Sequence, residues 1–284
     1  MRVAIIGAGA MGAGIGGRIT RGGGSVLTML DGRSEASRQR AEAAGMIATD
    51  VAALAQCDLI LSIVPPAQSA AVVEQLMPLL ADNPEIPFCD ANALAPASKR
   101  ILAQQVEATG GRFTDGSIIG HPPGTDGPGP RLYVSGGDAQ AFTALGQCGI
   151  DVRPMPGGVG EASALKMCYA ALNKGLTALT TAALLVGQKS GMADALMAEL
   201  GLSQTVLLDR ARRAVPEMYP KAWRWVAEME EIADFLEADA ADPSGALIWR
   251  GMARFFADRA DAEADGSEQA VLDLLKARGG AAAL

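Results

Sequence analysis

Between residue 2 and about residue 157, short apolar runs alternate with stretches whose apolar positions recur every three or four residues. Residues 3–6, 25–30, 59–64 and 87–90 are near-continuous apolar runs of strand length. Strands covered on both faces of a parallel sheet read this way. Residues 34–44, 68–80 and 96–108 carry helical periodicity instead, with prolines close to the starts, where a missing N–H does no harm. Strands alternating with helices predict an α/β fold, a doubly wound sheet joined by right-handed crossovers. The stretch GHPPGTDGPGP at 120–130 is too rich in glycine and proline for either element and reads as a loop. Residues 131–135 and 151–155 read as two further strands near a sheet edge. After GGVG at 157–160 alanine, leucine and methionine dominate and strand signals vanish. Everything to residue 284 reads as helix, beginning with a long one over about 161–190. Two domains are expected, 1–157 and 158–284, with the long helix passing between them. The tail ARGGAAAL is expected to fray.

The first strand run leads into Gly7-Ala8-Gly9-Ala10-Met11-Gly12, followed by a helical pattern. Glycine loses more backbone freedom on ordering than any other residue, so such a run calls for a ligand or a close approach. Between strand and helix, with a second strand ending about twenty residues on, GxGxxG points to a dinucleotide-binding Rossmann domain. Gly7 would allow the tight turn, Gly9 the approach of backbone to a pyrophosphate, and Gly12 close packing of helix on strand. Amides at the helix start, those of Ala10 and Met11 among them, would face the phosphates. The second strand ends MLDGRS. Asp31 suits the ribose hydroxyls of NAD, whereas Arg33 and Ser34 suit the 2′-phosphate of NADP. The balance favours NADP, with NAD left open.

A length of 284 residues at 49% hydrophobic content is enough for two domains around buried cores. A net charge of −8 argues against nucleic acid and anionic membrane as partners. The four cysteines, Cys57, Cys89, Cys148 and Cys168, form no CxxC pair, and with one histidine in the chain no metal site is expected. They read as reduced, buried thiols. The first residues carry no secretory h-region or cleavage site, and no uninterrupted apolar stretch reaches about 18 residues. A cytoplasmic protein is expected.

Several segments together resemble the β-hydroxyacid dehydrogenase and 6-phosphogluconate dehydrogenase superfamily, which also includes imine reductases. Besides the glycine loop, CDLILSIVPP at 57–66 resembles that family's fourth strand and the loop edging the nicotinamide, which implies cofactor contacts from Val64 and Pro65. FCDANALAP at 88–96 resembles the fifth strand and the loop after it, and the resemblance sets Asn92 near nicotinamide and substrate. RFTDGSIIG and LYVSGGD resemble the next two landmarks. The segment GVGEASALKMCYAALNKG at 158–175 resembles the catalytic helix, whose lysine corresponds to Lys166. SALKMCYAALNKG with PKAWRWVAEMEEIADFL at 220–236 narrows the likeness to the branch with a DUF1932-type C-terminal domain. Two departures matter. Ile119-Gly120-His121 replaces the family's carboxylate-gripping Ser-Gly-Gly, and Ala170 stands where an asparagine follows the lysine by four. Both count against a simple 3-hydroxycarboxylate substrate.

Helical geometry offers an independent view of the lysine. Positions i+3, i+4 and i+7 share a face, so Tyr169, Ala170 and Asn173 lie on the side of Lys166. If Leu165, Met167, Cys168, Leu172 and Leu176 pack, Lys166, Tyr169 and Asn173 turn towards a cleft. The expected chemistry is hydride transfer between nicotinamide and the hydroxyl or carbonyl carbon of a small polar substrate, with Lys166 moving the proton. Asn92 would orient the reacting oxygen, or serve only as a turn or cap residue. Near the substrate Ser117, Gly120 and His121 are further candidates, although Ser117 reads more simply as a strand-end serine and His121 as a loop residue. The resemblance implies a homodimer through the helical domain, with Arg224 or Glu228 able to reach a partner's cleft. The alternatives are an imine reductase or reductive aminase on the same scaffold, and a non-catalytic nucleotide sensor.

Overall fold

The computed structural model describes residues 1–124 and 127–276, so the tail ARGGAAAL and two residues of the glycine-proline loop lie outside the described residues. The chain divides into two compact units, Met1–Met167 and Cys168–Leu284.

The first unit is built on an eight-stranded sheet. Its elements in chain order begin with β1 (Arg2–Ile6), α1 (Ala10–Arg21), β2 (Ser25–Thr28), α2 (Glu35–Ala43), β3 (Ile47–Ala48) and β4 (Leu59–Ser62). Next come α3 (Ser69–Asp82), β5 (Pro87–Asp90), α4 (Pro96–Glu107), β6 (Arg112–Ile119), β7 (Arg131–Ser135) and β8 (Asp151–Pro154). The strands lie in the order β3-β2-β1-β4-β5-β6-β7-β8. All neighbours pair in parallel except β6 and β7, which are antiparallel.

Side chains of a strand alternate between faces, and here both faces are apolar. Val3 and Ile5 enter one buried cluster with Leu59, Leu61, Ile15 and Ile19. Ala4 and Ile6 enter the other with Ile60, Val73, Leu76 and Phe88. The chain leaves β1 towards β2 on one side and returns to pair β4 on the other. The crevice beyond the carboxyl ends of β1 and β4 is therefore the place where an open α/β sheet binds ligands.

The apolar runs located β1, β2, β4 and β5, but β2 and β4 end two residues earlier than the runs do. Met29, Ile63 and Val64 leave the ladder and line the crevice side instead, whereas Leu30 packs against the core. Strand β6 does not read as a strand by pattern because Thr114, Asp115, Gly116 and Ser117 interrupt its hydrophobicity, although all four are buried.

A long helix, α5 (Glu161–Lys189), opens the all-helical part of the chain. The compact units divide inside this helix, at 167/168, ten residues beyond the boundary suggested by the change in composition. Its first turn explains why. The amides of Gly160 and Ser163 donate to Asp115 Oδ2 at 3.1 and 2.9 Å, and the amide of Ala162 donates to Ser135 Oγ at 3.0 Å. Asp115 and Ser135 sit opposite each other across the β6–β7 ladder. Two side chains of the sheet thus satisfy the orphan amides that any helix start exposes, and a carboxylate there suits the helix dipole.

The second unit holds α6 (Ala193–Ser203), α7 (Thr205–Met218), α8 (Ala222–Ala238), α9 (Pro243–Asp265) and α10 (Gln269–Lys276). Helices α8 and α9 pack through Met229, Ile232 and an edge-to-face contact of Trp225 with Phe256 at 5.1 Å. Arg250 adds bonds to Glu230, Asp234 and Glu237. Helix α5 has an 18-residue window of mean hydropathy 1.2, long and apolar enough for a membrane span, but half of that window is buried within the protein. Core helices pass the same test.

Candidate active site

The glycine loop follows β1 directly. Gly7 has φ +110°, and a Cβ there would stand 2.3 Å from the Ile63 carbonyl oxygen in the segment after β4. A Cβ on Gly12 would meet the Gly7 carbonyl oxygen at 1.9 Å. These two glycines let three backbone segments close on one another. Gly9 differs: a Cβ there would meet nothing within 4 Å, so it keeps open the space in front of α1. No side chain caps α1, and its first turn holds no acidic residue. The first intrahelical bond runs from the Ala13 amide to the Gly9 carbonyl, so the amides before it, from Ala10 to Gly12, lack a helical acceptor. An anion fits such a helix start, and the residues present therefore fit a dinucleotide's pyrophosphate.

Farther along the crevice, Met29, Asp31, Arg33, Thr49, Asp50, Val51 and Gln75 line a cavity of about 200 Å³. Arg33 Nη1 donates to Gln68 Oε1 at 2.9 Å. Ser34 is the N-cap of α2, its Oγ accepting from the Ser37 amide at 3.3 Å. Arg40, which no sequence pattern singled out, donates from Nε to the Ala8 carbonyl at 3.1 Å and ties α2 to the glycine loop.

A second cavity, of about 180 Å³, includes Met11, Val64, Asn92, Ser117, Ile118 and Lys166 in its lining. The glycine loop and the lysine predicted to work together thus border one space within one unit. Pro66 borders it; Pro65 does not and is exposed. Lys166 Nζ donates to the Ile118 carbonyl at 2.5 Å. Burial alone holds its pKa below the usual lysine value.

Asn92 has a different task from orienting substrate. Its Oδ1 accepts from the Val64 amide at 2.6 Å. Its Nδ2 lies within bonding distance of Asp90 Oδ2 (2.7 Å), Ser69 Oγ (2.9 Å) and Ser62 Oγ (3.0 Å). Three acceptors share two hydrogens, so no N–H remains for a ligand. Asn92 fixes the segment after β4 at the cavity wall.

Behind it sits a charge cluster that sequence reasoning missed. Lys99 is fully buried and lies 2.6 Å from Asp90 Oδ1 and 3.3 Å from Asp115 Oδ1. Asp115 Oδ1 also accepts from Ser163 Oγ at 2.6 Å. One ammonium therefore links the strand that positions Asn92 to the strand that caps the lysine-bearing helix. The available signal was Asp90 closing an apolar strand run; Asp115 lay in a segment whose strand character was hidden.

The other candidates separate. Ser117 lies inside β6 rather than at its end and is buried. Gly120 has φ +131°, and His121 is exposed. Tyr169 and Asn173 belong to the second unit, where Tyr169 is 47% exposed. The Asn173 amide donates to the Tyr169 carbonyl at 2.8 Å and its Oδ1 accepts from Arg210 Nη2 at 2.8 Å, so this side chain braces α5 against α7. Leu172 and Cys168, expected to pack, are exposed, whereas the other three cysteines are buried. Glu228 pairs with Lys174, and Arg224 is exposed.

Residues 2–148 match the NAD binding domain of 6-phosphogluconate dehydrogenase. The chain belongs to that family. Residues 188–258 match a domain of unknown function, DUF1932, which places the chain in the branch of the 3-hydroxyacid dehydrogenase-like superfamily that carries this C-terminal domain. A conserved protein of unknown function, noted for structural similarity to 3-hydroxyacid dehydrogenases, is 26% identical and superposes with a TM-score of 0.76 over 94% of this chain and 99% of its own. A conserved hypothetical protein from Sinorhizobium meliloti 1021 is 24% identical, with a TM-score of 0.77 over 97% of this chain and 95% of its own. The 3-hydroxyisobutyrate dehydrogenase of Mycobacterium tuberculosis, solved with L-serine, shares the fold at 16% identity and a TM-score of 0.68, over 97% of this chain and 99% of its own. No curated protein matches the chain by sequence.

Proposed function

We propose that this NAD(P)-dependent oxidoreductase interconverts a hydroxyl and a carbonyl on a carbon of a small polar substrate, with Lys166 giving or taking the proton on the reacting oxygen. One observation carries the reading: the ammonium of Lys166 borders the same cavity as Met11 of the glycine loop and Val64 of the loop after β4. A bound nicotinamide supplies the hydride for reduction, or receives it in oxidation. Gly7, Gly9, Ala10, Met11 and Gly12 would hold the pyrophosphate, Asp31, Arg33 and Ser34 the adenosine end, and Val64 the ring. Lys166 rests on the Ile118 carbonyl, which points the ammonium without neutralising it. As an ammonium it donates to a carbonyl oxygen; in the reverse direction the neutral amine accepts the proton, and burial makes that form accessible.

The lining favours a C=O over a C=N acceptor. An iminium placed beside a lysine ammonium would want a carboxylate, and none of the described residues lining the cavity is acidic. The Arg33 guanidinium, in the cavity it shares with Met29, Asp31 and Gln75, supports NADP, and Arg33→Ala is expected to weaken NADPH binding about tenfold while leaving NADH nearly unchanged by calorimetry. A homodimer through the helical unit is part of the same proposal, supported by the exposed Leu172, Leu179 and Val186, spaced by seven along α5.

The deciding experiment pairs cofactor binding with turnover. Lys166→Ala should keep NAD(P)H affinity and lose about 10²–10⁴-fold in rate on a ketone and aldehyde panel. Wild-type rates in this variant would remove the lysine from the mechanism, and loss of cofactor binding in the wild type would remove the whole reading.

A further inference from the structure

Buried polar side-chain atoms nearly always find a partner, so an exception asks for a reason. Ser117 is 2% exposed, and its hydroxyl has no partner among the described residues. The hydroxyls of Thr28 and Thr114 are likewise unpartnered, but neither residue borders a cavity described above. Ser117 lines the cavity of Lys166. The two meet on one strand, since Lys166 bonds to the carbonyl of Ile118, the next residue of β6. The rest of that lining is apolar apart from Asn92, whose amide hydrogens are taken. A ligand there finds two polar groups to satisfy, an ammonium bonded to one residue of the strand and a hydroxyl on the residue before it.

We propose that Ser117 is a specificity-determining residue that hydrogen-bonds a second polar group of the substrate. The substrate class is then a small, uncharged carbonyl compound, or the corresponding alcohol, with a hydroxyl or carbonyl close to the reacting carbon. This rests on the reading of Lys166 as proton donor and adds what the substrate must carry. A carboxylate at that end is disfavoured. Lys166 is the one cation among the described lining residues, and a carboxylate would pair with it and compete with the reacting oxygen. Ile119, where the resembled family has its gripping serine, is buried and offers no donor.

The test uses three methyl ketones of nearly equal size on the intact protein: hydroxyacetone, 2-butanone and pyruvate, with NADH or NADPH. In the wild type, kcat/KM for hydroxyacetone should exceed that for each of the other two by at least about tenfold, because a site built for a hydroxyl rejects the analogue lacking it. Ser117→Ala should bring the hydroxyacetone to 2-butanone ratio close to one, with cofactor affinity and melting temperature unchanged. A ratio that survives in Ser117→Ala overturns the role of Ser117. Preference for pyruvate, or no turnover of hydroxyacetone by the wild type, overturns the substrate class. The parent reading fails separately, when Lys166→Ala turns over any ketone at the wild-type rate.

Discussion

Lys99 places a single ammonium between two carboxylates, with none of the three side chains reaching solvent. Burial works against its charge, but the adjacent Asp90 and Asp115 outweigh this and hold its pKa above the ordinary value. A raised lysine pKa stabilises the fold fully below the unfolded value of about 10.4 and loses that contribution as pH climbs through the folded value. At neutral pH the cluster is intact. Lys99→Met would strand two buried carboxylates and should cost about 3–5 kcal/mol in urea unfolding at pH 7; a loss under about 1 kcal/mol would mean the cluster is not an energetic unit. Lys166 has the opposite shift, with burial favouring its neutral form. Alcohol oxidation should therefore rise with pH up to an inflection below the usual 10.5, and ketone reduction should fall through the same inflection. A wild-type oxidation profile flat from pH 6 to 10 would contradict this. Lys166 could be picked out by sequence through its segment, whereas the helix-face reading that grouped it with Tyr169 and Asn173 failed, since neither lines its cavity. Asn92 and Asp115 could not be understood the same way, because their partners come from segments up to 48 residues away.

The elements legible in the sequence are those whose stability is local or purely apolar. Strands β1, β4 and β5 announce themselves as hydrophobic runs, and α4 by a proline in its first turn. Strand β6 hides because its interior residues are chosen for what they touch: Asp115 holds α5, and Ser117 faces the cavity. The two-residue β3 is too short to show any period. The glycine loop was legible, and its glycines differ in consequence. Gly12→Ala would place a methyl 1.9 Å from the Gly7 carbonyl oxygen and force α1 off the loop. NAD(P)H affinity should fall at least tenfold, and melting temperature should fall with it. Unchanged affinity by calorimetry would show that the start of α1 does not hold the cofactor.

For the whole molecule, composition located the change from mixed to all-helical structure but not the division into compact units. Leucines 172 and 179 are each 61% exposed and Val186 is 66% exposed. The double substitution Leu172→Glu and Leu179→Glu should shift the protein to a monomer in sedimentation equilibrium, since large apolar faces left open usually serve an interface. A wild type that already sediments as a monomer would sink the dimer proposal. The seating of α5 on Asp115 and Ser135 reaches further than stability. A chain severed at the glycine run would leave that aspartate facing absent amides, whereas one severed after Met167 would keep the seat and take the lysine along. Recombination between relatives that exchanged everything beyond that point would therefore carry Lys166, its cavity and the seat of its helix together as one inherited piece.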